Sequence, residues 1–362
     1  MMRADDPSGA WQASAEAERL RDRARERQWS GTGSRGVQAR IDIDTVRAEL
    51  DARTALIAYV FTGDALAAVV VRHDRAQLVA LGDWAAVAHS LPGLRADLDM
   101  AATMRTGPVA GVVARSLSDR LASLSRSVLD GPAGVADADR LVITAPGILN
   151  GIPWAMLPGM AGRAFTVAVS ATRWERMRRR GPFAHDMAAF AAGPRVTRAE
   201  EEIETAVAAW TRSTAVTADA ATVERVTVMA SRADVLHVAA HGRHAIDNPL
   251  FSGLELSDGT LFGYDIDLIP TLPDTVVLSA CKVGRSSVRW GEEAVGMTRI
   301  WLHAGARCVV ATPVVVADDD ACELLGAMHA GLAAGVSPSE ALAAASERTG
   351  IVAPFQVHGA GF

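Results

Sequence analysis

The sequence predicts an α/β fold, a mainly parallel central sheet covered by helices on both faces, and three observations predict it. After Trp174 short apolar runs alternate with amphipathic stretches, the pattern of parallel strands joined by helical crossovers. Two of those runs, residues 235–240 and 276–280, are almost continuously apolar, as strands buried on both faces are. Before Trp174 the order differs: a hairpin, then helices, then one more buried strand.

Each element has its own local signal. Residues 1–45 join a charged stretch, 14–27, to a Ser/Gly-rich one, 30–36, and read as a mobile arm. Gly31, Gly33 and Gly36 match GxGxxG, but no strand precedes them and no helical pattern follows, so a dinucleotide fingerprint is rejected. Apolar runs at 55–59 and 67–71, separated by Thr62, Gly63 and Asp64, read as a hairpin. Leu91, Leu94 and Leu98, then Leu117, Leu121 and Leu124, keep helical spacing across 84–129. A strand at 141–145 runs into the turn-rich Pro146, Gly147, Asn150, Gly151 and Pro153.

The second half continues with a strand at 187–192, a helix at 198–210, a short strand at 214–216 and a helix at 222–231. Beyond the two apolar strands come a helix at 292–304, a strand at 307–311, and helices at 318–333 and 337–349. Gly335 suits a helix C-cap, Ser337 an N-cap and Pro338 the first helical position.

Composition narrows the function. Of the 362 residues 49% are hydrophobic and 22% charged, as in a globular protein and unlike a disordered one. A net charge of −6 offers no general attraction to nucleic acid or an anionic membrane. Cys281, Cys308 and Cys322 form no CxxC and no paired framework, which fits a reducing compartment. The N-terminus lacks the apolar stretch of a secretory signal, and the longest later apolar run, 309–317, is short and contains Pro313. The expectation is a cytoplasmic protein with no nucleic-acid or membrane partner. GxSxG, GxxxxGK[ST] and HExxH are absent, which disfavours serine hydrolases, P-loop proteins and zincins.

Chemistry concentrates at two strand ends. The run D-V-L-H-V-A-A-H-G stops at His241 and Gly242, and T-V-V-L-S-A-C-K-V-G carries Cys281 at the end of its apolar part. In parallel sheets the loops beyond the carboxyl ends collect catalytic groups. A thiol must lose its proton to attack a carbonyl, and an imidazole within reach can take it and later protonate the leaving amine. Gly242, without a Cβ, admits a substrate backbone and leaves an N–H for an oxyanion, with the Cys281 N–H as second donor. Alone, such a cysteine is commonly a small buried hydrophobe and such a histidine a core residue. Their joint placement on successive strand ends favours the pair. Zinc held by His237, His241 and Cys281 is disfavoured, since no acidic residue lies between the histidines and HxxxH suits a helix better. His237 reads as packed within its strand, Cys308 and Cys322 as core thiols, and His244, His303, His329 and His358 have no comparable setting.

These segments, with N-P-L-F-S-G-L-E-L-S-D-G at 248–259 and G-E-E-A-V-G-M-T-R-I-W-L-H-A-G-A at 291–306, resemble the CHAT domain, caspase-like peptidases related to separase and found widely in bacteria. T-A-L-I-A-Y near Tyr59, A-P-G-I-L-N-G-I-P-W-A-M-L-P at 145–158 and the terminal P-F-Q-V-H-G extend the resemblance over residues 54–362. It implies a caspase-type (caspase-hemoglobinase) sandwich, with 46–180 as a supporting half and 181–362 as the catalytic half. It further implies His241 as general base, Cys281 as nucleophile, the backbone of Gly242 and Cys281 as oxyanion hole, and no metal or organic cofactor.

The implied function is a cysteine endopeptidase making limited cuts in protein substrates, in bacterial signalling or defence. A catalytically silent scaffold or adaptor is the alternative, and a small-molecule cysteine hydrolase a third. Where many relatives carry Leu-Trp this chain has Pro313-Val314, so substrate preference does not carry over. Asp318, Glu292 and Glu293 are candidate acids for a basic substrate residue, although acids in a first helical turn also stabilise the helix itself. No repeat period is present, so a regulatory protein would act in trans. The arm is one candidate contact for it. The basic cluster Arg176, Arg178, Arg179 and Arg180 is expected in an exposed loop.

Overall fold

In a computed structural model, residues 40–62, 65–243, 245, 249–279 and 292–362 are described. Most of the arm, the Gly63–Asp64 turn, His244 and Cys281 fall outside them. Helix α1 (Ile43–Glu49) opens the folded unit, and the Asp42 side chain caps it by accepting from the Thr45 N–H at 2.7 Å. The expected hairpin pairs β1 (Thr54–Thr62) antiparallel with β2 (Ala65–Val71), and β2 pairs onward with β3 (Ala76–Asp83). Two long helices follow, α2 (Trp84–Thr103) and α3 (Ala110–Val128), then the short α4 (Asp130–Ala136). Their leucines Leu91, Leu94, Leu98, Leu117, Leu121 and Leu124 share a core with Ile57, Tyr59 and Leu141.

The chain then lays down β4 (Arg140–Thr144), parallel to β1, and β5 (Ala164–Val167), parallel to β4. After α5 (Ala171–Arg178) the alternating half begins with β6 (Ala188–Ala192), α6 (Ala199–Val207), β7 (Ser213–Val216), α7 (Val223–Ala230) and β8 (Val235–Ala239). A separate small sheet is made of β9 (Gly242–Arg243), β10 (Gly253–Glu255) and β11 (Thr260–Phe262), followed by α8 (Gly263–Ile266). The main sheet resumes with β12 (Thr275–Ser279), α9 (Glu292–Ala304), β13 (Cys308–Ala311), α10 (Asp318–Ala333), α11 (Pro338–Thr349) and β14 (Gln356–Gly359).

Among the described residues eleven strands form that sheet, in the order β3-β2-β1-β4-β5-β14-β13-β12-β8-β6-β7. Period-two alternation decides which helices cover which face. Phe190, Val235, Ala239, Val277 and Val310 pack beneath α6, α10 and α11, together with Ile203, Leu325 and Ala341. Ala189, Leu236, Val238, Val276 and Leu278 point the other way, against Val226, Ile266 and Trp301 of α7, α8 and α9.

The last strand closes the architecture. β14 lies between β5, to which it is parallel, and β13, to which it is antiparallel. Its Gln356 accepts from the Trp154 N–H at 3.1 Å, and the Thr166 hydroxyl donates to the Gly359 carbonyl at 3.0 Å.

Some local expectations need correction. The basic cluster is largely exposed but only in part a loop: Arg176 and Arg178 lie in α5, capped by Ser170, with Arg178 over the Trp174 ring, and Arg179 and Arg180 form the exposed turn that follows. Arg179 pairs with Glu49 and Glu175, and Arg180 reaches the Gly305 carbonyl, so intramolecular contacts engage these two exposed charges. β3, β5 and β14 carry no apolar run long enough to read, being an exposed edge, four residues and a polar Q-V-H-G. Ala334 rather than Gly335 is the α10 C-cap, and Gly335 follows in the left-handed region at φ 81°. Ser337 does occupy the N-cap of α11, but its hydroxyl donates to the Glu340 carboxylate at 2.7 Å.

Candidate active site

β8 and β12 are parallel neighbours, and their last registered pair is Ala239 with Ser279. His241 follows Ala239 by two residues, and Cys281 follows Ser279 by two in the sequence. Cys281 itself and the side chain of Glu292 lie outside the described residues; Glu292 is the first residue of α9.

His241 is half-buried, and its Nε2 stands 2.9 Å from the Arg195 carbonyl oxygen. A carbonyl can only accept, so Nε2 carries the proton and the neutral ring keeps its lone pair on Nδ1. The loop presenting that carbonyl, between β6 and α6, turns through two left-handed non-glycine residues, Arg195 at φ 61° and Arg198 at φ 60°. Such conformations cost about 1–2 kcal/mol each and persist where surrounding contacts enforce them. Here Arg198 pairs with Glu201, Asp319 and Glu323, and Arg195 reaches Glu255.

Gly242 begins β9 and is paired with Leu254. The Glu255 N–H donates to the His241 carbonyl at 2.8 Å, which makes Gly242–Leu254 a non-hydrogen-bonded pair. The Gly242 N–H is therefore turned away from β10, toward the outer side of β9.

Asp318 lies in the first turn of α10. Burial and the neighbouring Glu202 raise its carboxyl above the ordinary range, while a hydrogen bond from Thr197 and the nearness of His241 pull it down. The preceding loop carries the Pro313-Val314 departure, and Val314 packs onto the core of the first half of the chain. Cys308 and Cys322 are buried free thiols, as expected, and burial pushes their thiols up to about 12 and about 11.

Sequence reasoning missed a buried polar chain beneath these residues. His237 meets His329 at 3.0 Å and Glu202 at 2.8 Å, Trp210 reaches His329 at 3.2 Å, and Ser279 reaches Glu202 at 3.1 Å. A signal existed. Glu202 interrupts the apolar stripe Ala199, Ile203, Ala206 and Trp210, and His329 that of Cys322, Leu325 and Leu332. A charged or polar residue on a buried stripe needs a partner.

Among the described residues no group of His, Cys, Asp and Glu is arranged to hold a metal ion, and no helix is long and apolar enough to cross a membrane.

The sheet order and two helical layers define a caspase-like α/β sandwich. Two crystal structures of the Saccharomyces cerevisiae separase–securin complex, at 3.0 and 2.6 Å, share this fold with a TM-score of 0.61 each, at 12% and 11% sequence identity. In each case the likeness covers 88% of this chain and 30% of that chain. The chain belongs to the CHAT domain family, whose model matches residues 112–349. No curated protein sequence matches it significantly.

Proposed function

We propose that the protein is a cysteine endopeptidase that makes limited cuts in protein substrates, with Cys281 as nucleophile and His241 as general base. One observation carries the reading: the registered pair Ala239–Ser279 stands level at the carboxyl ends of adjacent parallel strands, and each member precedes one of the two residues by two positions. The tautomer supports it as well. With Nε2–H donated to Arg195, His241 offers Nδ1 to accept the thiol proton, and the carbonyl stabilises the imidazolium that forms.

In this mechanism the Cys281 thiolate attacks the scissile carbonyl, whose oxygen becomes an oxyanion held by the N–H groups of Gly242 and Cys281. The imidazolium protonates the leaving amine, and the acyl-enzyme is hydrolysed by water that His241 deprotonates. Asp318, near His241, and Glu292 are proposed to line the pocket for the substrate residue before the cut. Residues 46–180 support the reacting half, 181–362.

A bacterial cytoplasm is the proposed setting, in signalling or defence, and it suits the free buried thiols. Control by a protein partner in trans is in keeping with a fold relative that was crystallised as a separase–securin complex. The test is labelling of the purified protein with a peptidyl electrophile, with mass spectrometry to locate the adduct. Selective modification of Cys281 that disappears in His241→Ala is the expected result; labelling of Cys281 that is indifferent to His241→Ala would refute the pair.

A further inference from the structure

The polar chain beneath the strand ends has a direction set by its chemistry. Trp210 can only donate, so its indole N–H is given to His329 Nδ1 at 3.2 Å. His329 thereby holds its own proton on Nε2, and burial, with the nearby His237, keeps the ring neutral. That Nε2–H donates to His237 Nδ1 at 3.0 Å, between rings whose planes differ by 11°. The proton of His237 is then on Nε2, which touches Glu202 Oε1 at 2.8 Å as a close polar contact without the alignment of a hydrogen bond. The Ser279 hydroxyl donates to the other carboxylate oxygen at 3.1 Å. The chain thus ends at Glu202, which accepts the Ser279 hydrogen bond on one oxygen and meets His237 at close range with the other.

Glu202 is only 4% exposed. Burying a carboxylate costs several kcal/mol even when paired, and well-packed apolar residues often replace such groups with no loss of stability. Stability by itself therefore does not account for a glutamate here. What the carboxylate does is join two adjacent strands, one oxygen to His237 on β8 and one to Ser279 on β12. Four residues after His237 comes His241, and two after Ser279 comes Cys281.

We propose that Glu202 is a positioning residue that bridges β8 and β12 and so sets the relative placement of His241 and Cys281. The inference rests on the reading of those two residues as a catalytic pair. Around the carboxylate stand His237 from β8, Ser279 from β12, and Asp318 and Cys322 from α10.

The experiment is the rate of alkylation of Cys281 by iodoacetamide as a function of pH, followed by mass spectrometry of the peptide that contains it. An unassisted thiol, with a pKa of about 8.5, is only about 1% thiolate at about pH 6.5, whereas one paired with an imidazole is largely ionised. Glu202→Ala and Ser279→Ala are expected to slow alkylation at about pH 6.5 by about tenfold or more and to move the profile toward the free-thiol value. Glu202→Gln keeps the size that contacts His237 and can offer its amide to the Ser279 oxygen, so it should stay within about threefold of wild type. Leu325→Ala, in the same core, should lower thermal stability without moving the profile.

A wild-type profile in folded Glu202→Ala and Ser279→Ala overturns the proposal, as does an equal shift in Leu325→Ala. Should Glu202→Ala fail to fold, Ser279→Ala decides, since it removes one hydroxyl. A shift in Glu202→Gln as large as in Glu202→Ala overturns the bridge in favour of the charge alone. If Cys281 in the wild-type protein already reacts like a free thiol and is indifferent to His241→Ala, the catalytic pair itself fails, and the positioning role falls with it.

Discussion

Replacing His358 should flatten the acid limb of the stability profile. His358 lies on β14, in the middle of the sheet, and is only 5% exposed. Burial, with the positive charge of Arg299, pushes its pKa down to about 4 from 6.5. The folded protein thus holds the ring neutral where the unfolded chain would protonate it. Its stabilising contribution is complete above the unfolded value and is lost as pH falls from about 6.5 toward about 4. At about 1.4 kcal/mol per pKa unit, this amounts to about 3 kcal/mol between pH 7 and 4. Urea unfolding of the wild type and of His358→Gln across that range, where unfolding is reversible, measures it. The gap between the two proteins should narrow by about 3 kcal/mol on acidification, because only the wild type must keep a neutral imidazole. His329 and the carboxylates leave both proteins some acid sensitivity. Parallel curves, or a His358 proton resonance that titrates near the ordinary value, would refute the reasoning.

Two further substitutions test the packing. The Tyr59 hydroxyl donates to the Val128 carbonyl at 2.7 Å, at the C-terminal end of α3, so Tyr59→Phe should cost about 1–2 kcal/mol by denaturant unfolding. Burial raises the Tyr59 pKa, so the wild type should also lose stability above about pH 10 more steeply than Tyr59→Phe does. Gly359 has φ 99°, and a Cβ there would lie 2.5 Å from the Arg307 carbonyl. Gly359→Ala should therefore cost at least about 2 kcal/mol and lower the thermal midpoint by several degrees.

The strands that were legible are those buried on both faces. β8 and β12 were readable because two covered faces demand continuous apolar runs, and the polar residues that end those runs marked His241 and Cys281 as strand-end residues. β3 escaped because it is an exposed edge, β5 because it is short, and β14 because its polar side chains are satisfied by distant partners such as Trp154. In the basic cluster the exposure was legible, whereas the pairing of Arg179 with Glu49 was not, because the two are far apart in sequence.

Local pattern was enough for the class of fold, for most helices and for the two strand ends, because burial imposes a period that a short window displays. It was also enough to pick out the family, whose ordered segments are contiguous pieces of chain. Folding alone decided that β14 would lie between β5 and β13, that the Arg195 carbonyl would set the tautomer of His241, and that Glu202 would meet His237 and Ser279. Those contacts join residues with no shared local signal, and a buried polar atom takes whichever partner the packing of separate elements brings within hydrogen-bond reach.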